Sequence, residues 1–387
     1  MEVKQLAQLT NDVVKEVLGE TAVTTEDLEN VVDLGKQIFD ANAVDNYVKT
    51  LINHIGKVVF VNRKYTGAYP SLLMDGWEFG SVLEKITMEK LPDATDNESW
   101  ELVDGQVYEQ DTFYKPSIVA TFYNSKTTFE IPISITELQV KESFSNVAQL
   151  NGFVSMIFNA IEQAMTIRTE SMAMRTINNF IGETLYNEVP SGVYSGRSGT
   201  KAVNLLYLYN QAKGQTLTKD KALFDLEFLK FASMTIGLYV KRLGKMSTLF
   251  NIDGKERFTP EDKLHIALLT NFVQGANSYL QSDTFHNEMT ALPKKNVDEI
   301  VYWQGTGIDY ALDSVSKIDI KTSGGHEIEI DYVIGVMYDR DACGIANENE
   351  RVRSHVNDKA EFMNYWFKRD CSYFNSTSEN FVVFYLA

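Results

Sequence analysis

Apolar and small side chains recur at steps of three and four between residues 145 and 186, which predicts one long amphipathic helix. The recurring positions are Phe153, Ile157, Ala160, Ala164, Ile167, Ser171, Met174, Ile177 and Ile181. The segment has no proline, and its two glycines, Gly152 and Gly182, lie near its ends. At ~1.5 Å per residue such a helix extends roughly 60 Å. Propensity alone does not hold so long a helix, so we expect other elements to pack along it.

Helical spacing of apolar residues also predicts an N-terminal helical arm over residues 1–55. Its first helix ends at Gly19, and Thr24 or Thr25 caps the second. The apolar stripes of this arm have no obvious partner nearby in the sequence. They pack either on their own domain or on another subunit.

A strand-like texture begins after Gly56 and predicts a long β-hairpin. Residues 57–67 read as a strand and residues 81–91 as another, and residues 115–135 read as two alternating strands around a turn at 124–126. Between residues 91 and 115 lies a polar, acidic tip. An excursion of this length is unusual inside a compact domain. It therefore favours an interaction protein over an enzyme.

The remainder of the chain alternates between helical and strand patterns, which indicates an α/β or α+β subdomain over residues 222–345. The predicted elements are a loop-rich stretch over 187–220, a helix ending near Gly244, a buried strand over 263–272, a helix broken at Gly275, a strand over 296–303, a strong strand over 328–345, a sharp turn at 347–350, and two aromatic strands across 375–378. The chain is thus predicted to end inside a sheet.

The composition narrows the function. The 387 residues carry a net charge of −17 and a pI near 4.8, and the chain has no basic run of five residues. This balance argues against general nucleic-acid binding. We expect no signal peptide and no membrane span. Cys343 and Cys371 lack a metal or redox spacing, so a reduced, cytosolic setting is expected.

Motifs for chemistry are weak. Residues 305–311 match the GxGxxA pattern of a nucleotide loop, but the sequence that follows turns strand-like rather than helical. His326 and Glu327 begin a zincin-like motif that Ile330 breaks. The histidines are scattered singly along the sequence, at His54, His265, His286, His326 and His355. The carboxylates at the hairpin tip fit a solvated acidic loop, and they are Asp93, Asp96, Glu98, Glu101 and Asp104. We therefore predict no catalytic residue, no cofactor, no metal site and no enzymatic activity.

The order of these elements resembles a known family. The residues that carry the resemblance are 44–48 running into 55–59, 175–179 on the long helix, and 362–367 through 380–385. Over nearly the whole chain, the sequence resembles the major capsid proteins of tailed bacteriophages with the Hong Kong 97 fold. The sequence also resembles capsid proteins of phages that infect Gram-positive bacteria, including small short-tailed ones.

The resemblance implies an α+β fold in five parts. These are an N-terminal helical arm over 1–55, an extended loop over 56–125, a peripheral domain over 126–221 with a spine helix at 145–186, an axial α/β domain over 222–345, and a C-terminal β segment of the peripheral domain over 346–387. The long helix and the long hairpin of the pattern analysis correspond to the spine helix and the extended loop.

The resemblance also implies a function. The protein would assemble with itself into pentamers and hexamers that form an icosahedral phage head around double-stranded DNA, which it would not bind sequence-specifically. Expected partners are a separate scaffolding protein, a portal protein and possible decoration proteins, with no membrane. Two alternatives stay open: a cargo-loading nanocompartment shell of the same fold, and an enzyme that uses the 300–311 loop to bind a nucleotide.

Overall fold

The structure is a computed structural model, and it describes most of the chain after residue 71. The described residues are 72–74, 83–92, 94, 96, 101–108, 111, 113–136, 147–282, 296–301, 303, 316–357, 359–360 and 362–387. They belong to two compact units. Unit 1 draws on residues 1–78, 126–172 and 346–372, and unit 2 on residues 79–125, 173–345 and 373–387. The predicted N-terminal arm lies outside the described residues.

The long helix predicted over 145–186 is confirmed as α1, Val147–Glu188. In its C-terminal half, which belongs to unit 2, the buried side chains follow the helical period through Ile177, Ile181 and Leu185. Asn178 lies in the same buried surface, and its Nδ2 donates a hydrogen bond of 2.6 Å to the carbonyl oxygen of Trp303. Other elements of unit 2 therefore pack along this half of the helix, as expected for a helix of this length.

A four-stranded sheet belongs mainly to unit 1. Its strands, in spatial order, are β1 (Leu73–Met74), β11 (Cys343–Asn357), β12 (Phe362–Asn375) and β4 (Lys126–Thr136). Strands β4 and β12 pair antiparallel over their lengths. Pro132 lies in β4, an edge strand of the sheet, which is the kind of strand that tolerates proline.

The sharp turn predicted at 347–350 is wrong, because these residues lie inside the continuous strand β11. Two of the polar side chains, those of Glu348 and Glu350, are paired within the sheet. Glu348 accepts hydrogen bonds from Lys126 and Ser372, and Glu350 forms an ion pair of 2.6 Å with Arg369. Cross-strand pairs of this kind stabilise acidic residues in a strand, where the local composition alone favours a turn.

Asp370 is the centre of an ion-pair network in this sheet. Its carboxylate accepts hydrogen bonds of 2.6 and 3.1 Å from the Arg351 guanidinium and one of 2.6 Å from Thr128 Oγ1, and Lys126 Nζ lies 3.6 Å away. The Arg351 hydrogen bonds hold the pKa of Asp370 below its usual value. Because the folded-state pKa is depressed, this carboxylate stabilises the fold above its unfolded pKa, and the contribution is lost as the pH falls through the folded-state pKa.

We expect Arg351→Met to weaken the dependence of stability on acid. The variant is less stable than wild type at pH 7. The difference starts to shrink as the pH falls below about 4, the unfolded-state pKa of an aspartate, and it is lost as the pH falls through the lower folded-state pKa of wild-type Asp370. Thermal unfolding midpoints between pH 7 and pH 2.5 measure this. Lys321→Met, which removes a 3.8 Å pair with Glu327 between well-exposed side chains, is the control and should show the wild-type pH profile. Identical profiles for Arg351→Met and wild type would contradict the prediction.

A five-stranded sheet forms the core of unit 2. In spatial order its strands are β5 (Ala202–Asn204), β13 (Phe381–Tyr385), β10 (Val333–Asp339), β6 (Leu264–Leu269) and β7 (Val297–Ile300). The central strands β13, β10 and β6 are antiparallel, and β5 and β7 join the edges in parallel. Every residue of β10 and β13 is buried, as expected for strands covered on both faces. The buried strand predicted over 263–272 is confirmed as β6, although helix begins at Thr270.

Helices pack against this sheet. They are α2 (Leu205–Lys213), α3 (Lys219–Ala222), α4 (Leu226–Leu243) and α5 (Thr270–Ser282). The prediction that 187–220 is loop-rich is wrong at α2, which Asn204 caps by accepting a hydrogen bond of 3.1 Å from the Tyr207 amide. The break predicted at Gly275 is also wrong, because α5 runs through it. A Cβ atom there would lie 3.1 Å from the Leu223 carbonyl oxygen, so the glycine permits close packing.

A small hairpin packs on the C-terminal half of α1. Its strands are β8 (Ile318–Lys321) and β9 (Glu327–Ile330). The Gly324 amide at its tip donates a hydrogen bond of 2.8 Å to Glu183 Oε1 on the helix. A Cβ atom at Gly182 would lie 2.6 Å from Thr322 Cγ2. The glycine that the sequence places near the end of α1 is therefore required for this close approach.

Candidate assembly interface

The hairpin predicted before α1 is confirmed as an antiparallel pair in unit 2, β2 (Leu83–Met88) and β3 (Ile118–Tyr123). The two strands form a separate sheet. The turn expected at 124–126 joins β3 to β4, but these strands do not pair with each other, since β4 pairs with β12. The chain therefore changes sheets at this point. A two-stranded hairpin is marginally stable in water and needs packing on at least one face.

The period-2 pattern divides the hairpin into two faces. The outer face consists of the directly paired residues Glu84 and Phe122, Ile86 and Ala120, and Met88 and Ile118. The anchored face consists of the pairs Leu83 and Tyr123, Lys85 and Thr121, and Thr87 and Val119. Apart from Thr121, the anchored residues are half-buried, whereas every residue of the outer face is exposed.

The outer face is apolar. Ile86 is 64% exposed, Ile118 and Phe122 are each 61% exposed, and Met88 is 39% exposed. These side chains meet across the two strands and so form a continuous patch. Clustered exposed apolar residues of this kind mark protein interaction sites, whereas single ones are common on any surface.

The tip of the hairpin continues this character. Large apolar side chains are almost fully exposed at Leu102 (81%), Val107 (91%), Phe113 (85%) and Tyr114 (84%). The acidic residues predicted for the tip are exposed where the structure describes them, at Asp96, Glu101 and Asp104, whereas Asp93 and Glu98 lie outside the described residues. The tip therefore combines apolar contact area with negative charge.

The anchored face is held by unit 2. Lys85 Nζ lies 2.7 Å from Glu379 Oε1, and the Tyr123 ring packs on Phe374 with a centroid distance of 5.3 Å. Burial raises the pKa of the Tyr123 phenol. The hairpin is thus fixed on one face and open on the other.

The residues that could act in catalysis or metal binding are dispersed or buried. Within the described parts of the chain, no group of three His, Cys, Asp or Glu side chains is arranged to hold a metal ion. His326 stacks on Tyr186, and burial lowers the pKa of His265. Cys343 and Cys371 are buried free thiols, and burial raises the pKa of Cys371 to about 12. The 305–311 loop, His54 and His286 lie outside the described residues.

Among the described residues, no helix combines the length and the hydropathy needed to cross a bilayer.

An α+β chain whose anchored hairpin exposes a cluster of large apolar side chains has the surface expected of a structural assembly subunit. Residues 10–385 match the model of the Phi29-like phage major capsid protein family. The chain belongs to that family, and it is a structural protein of the phage head shell. The match confirms the predicted capsid function, the location in the virion and the Hong Kong 97-like fold class, and it does not favour a nanocompartment or an enzyme.

Solved phage structures are similar to the chain at low sequence identity. In the capsid structure of Staphylococcus phage Andhra, a chain matches with 9% identity and a TM-score of 0.46, covering 81% of this chain and 82% of that one. A chain in the head fiber and inner core structure of bacteriophage P68 has 13% identity and a TM-score of 0.49, covering 82% and 84%. A chain in the capsid structure of cyanophage P-SCSP1u has 11% sequence identity and a TM-score of 0.42, and the match covers 81% of this chain and 86% of that one. No curated protein sequence matches the chain.

Proposed function

We propose that this capsid protein assembles through its β2–β3 hairpin, whose outer face and tip bind a neighbouring copy of the same chain. The observation that carries the proposal is the exposed apolar patch of Ile86, Met88, Ile118 and Phe122. Burial of apolar surface is the main favourable term in protein association, at about 25 cal/mol per Å². A repeated contact of this kind, with different surfaces on the two copies, generates closed rings when the rotation closes.

The rings are pentamers and hexamers of an icosahedral head that encloses double-stranded DNA. The net charge of −17 supports a shell that does not grip its genome, because like charges repel the phosphates. A separate scaffolding protein guides assembly, and a portal protein completes the head. The protein itself is not an enzyme and uses no cofactor or metal.

Each part of the chain has a role in this scheme. Residues 1–55 form the arm and residues 56–125 form the loop that extends over a neighbour. Residues 126–221 and 346–387 form the peripheral domain around the spine helix, and residues 222–345 form the axial domain near the centre of the capsomer.

Electron microscopy beside sedimentation tests the proposal directly. The purified protein should form capsomer rings or closed shells, alone or after co-expression with the genes next to its own. A protein that stays monomeric under both conditions would overturn the proposal, because co-expression supplies the missing scaffold.

Deletion of residues 92–105 tests the contribution of the hairpin tip. The deletion should leave the monomer folded, because the tip residues described by the structure are exposed, and it should weaken assembly. Circular dichroism and thermal unfolding report on the monomer, and sedimentation reports on the assembly. A loss of monomer stability that matches the loss of assembly would show that the tip is part of the core instead.

A further inference from the structure

The anchored face of the hairpin docks through Lys85 onto one turn of unit 2. We name residues 376–380, between β12 and β13, the anchoring turn. Lys85 Nζ lies 2.7 Å from Glu379 Oε1 and 3.5 Å from Ser376 Oγ, and it donates a hydrogen bond of 3.2 Å to the Asp341 carbonyl oxygen. The side chains of Lys85 and Glu379 are 19% and 10% exposed. The ion pair is therefore largely shielded from water and stronger than a surface pair.

The anchoring turn is held by hydrogen bonds that do not involve the hairpin. The Ser376 amide donates a hydrogen bond of 2.7 Å to the Ala342 carbonyl oxygen, and Thr377 Oγ1 donates one of 2.9 Å to Asp253. Asn380 Nδ2 donates one of 3.1 Å to Thr259 Oγ1. Two segments of unit 2, the one between α4 and β6 and the one between β10 and β11, thus hold the turn. An acceptor held in this way fixes the direction of whatever binds it.

Glu379 receives two cations, and only one of them comes from the hairpin. Arg257 Nε lies 3.5 Å from Glu379 Oε1, the same oxygen that Lys85 contacts. Arg257 belongs to the segment between α4 and β6, where its backbone pairs with Ser247. Glu379 therefore keeps a cationic partner when Lys85 is removed, whereas the hairpin loses its charged attachment to the turn.

We propose that Lys85 is a positioning residue for shell assembly, which sets the direction of the β2–β3 hairpin by binding the anchoring turn. The inference rests on the proposed function of the hairpin, since the direction matters only if the outer face meets a neighbouring copy. Lys85 lies at the middle of β2, and its neighbour Ile86 points to the opposite face. Rotation of the hairpin about its base moves the whole outer face, and a shell of uniform curvature requires one direction.

The test compares Lys85→Met with Arg257→Met, because each variant removes one cation from Glu379 and only the first releases the hairpin. Hydrogen exchange of the unassembled subunit is measured over residues 83–88 and 118–123. Lys85→Met should raise exchange there by roughly tenfold, as expected for the loss of a charged hydrogen bond. Arg257→Met should leave exchange in the hairpin unchanged. Electron microscopy of the assembled products should show irregular or open particles for Lys85→Met and uniform shells for Arg257→Met.

Two results would overturn the inference. One is wild-type hairpin exchange together with uniform shells in Lys85→Met, and the other is an equal change in both variants, which would indicate a general stabilising role of the Glu379 cluster. Lys85→Arg keeps the charge and should retain uniform shells. If the wild-type protein forms no shells but Lys85→Met still raises exchange in the hairpin, the anchoring role stands and the proposed assembly function fails.

Discussion

Replacing both Ile86 and Phe122 with aspartate will abolish shell formation and leave the subunit folded. Both side chains lie on the outer face and are more than 60% exposed, so the isolated subunit loses little packing. In the shell, the same positions are proposed to be buried against a neighbour. Full burial of an Ile or Phe side chain contributes about 1.5–3 kcal/mol, and burial of an unpaired carboxylate costs several kcal/mol more. The penalty recurs at every repeated contact, so closed assembly becomes unfavourable.

Sedimentation and electron microscopy measure the loss of assembly, and thermal unfolding measures the subunit. The subunit should unfold within a few degrees of wild type, because exposed substitutions rarely change stability by more than about 0.5 kcal/mol. The paired substitution of Ile86→Leu and Phe122→Tyr keeps the apolar surface and should still form shells. Normal shells from the double aspartate variant would show that this face lies outside the interface.

Gly335→Ala will strongly destabilise unit 2. Gly335 lies in the central strand β10, opposite Leu268 of β6 and Phe384 of β13. A Cβ atom at this position would lie 2.6 Å from the Ala267 carbonyl oxygen and 2.6 Å from Leu268 Cδ2. Because the first contact is with backbone, relief requires the two strands to separate. We expect a loss of about 3 kcal/mol, at the upper end of overpacking costs, and a fall in Tm of roughly 5–10 °C.

Gly237→Ala is the matched control. Gly237 lies in helix α4, and a Cβ atom there meets no other atom within 4 Å. Alanine is favoured over glycine in a helix by about 1 kcal/mol, so this variant should be as stable as wild type or more stable. Thermal unfolding of the two variants side by side therefore tests the clash separately from the chemical change. A wild-type Tm for Gly335→Ala would mean that the sheet accommodates the methyl group.

The local pattern of apolar and polar residues predicted the helices and strands whose conformation depends mainly on their own sequence. The helical period gave α1 within two residues at each end, and the alternation of apolar and polar residues gave both strands of the β2–β3 hairpin. The errors at residues 347–350 and at Gly275 have a common cause. In each case the residue type favours a turn or break locally, whereas a partner distant in sequence stabilises the regular element. Such partners are fixed by tertiary structure and are not visible in a local window.

The candidate interface was predicted in part. The sequence indicated the hairpin and its acidic tip, but it did not separate the outer face from the anchored face, because apolar residues such as Leu83 and Ile86 occur on both. A two-stranded hairpin that is apolar on both faces is itself a signal that one face binds something outside the domain. The role of Lys85 could not be derived in this way, since Glu379 is 294 residues further along the chain.

The buried cysteines make this chain a convenient host for chemical labelling. The sequence has two cysteines, and both lie in the interior as thiols whose pKa burial has raised. Thiolate is the reactive form, so maleimide dyes and spin labels will react slowly with the native protein. A cysteine introduced at the exposed Phe113 would then be the single reactive thiol. The fluorescence of a maleimide dye attached to it would report each encounter between subunits as a head assembles.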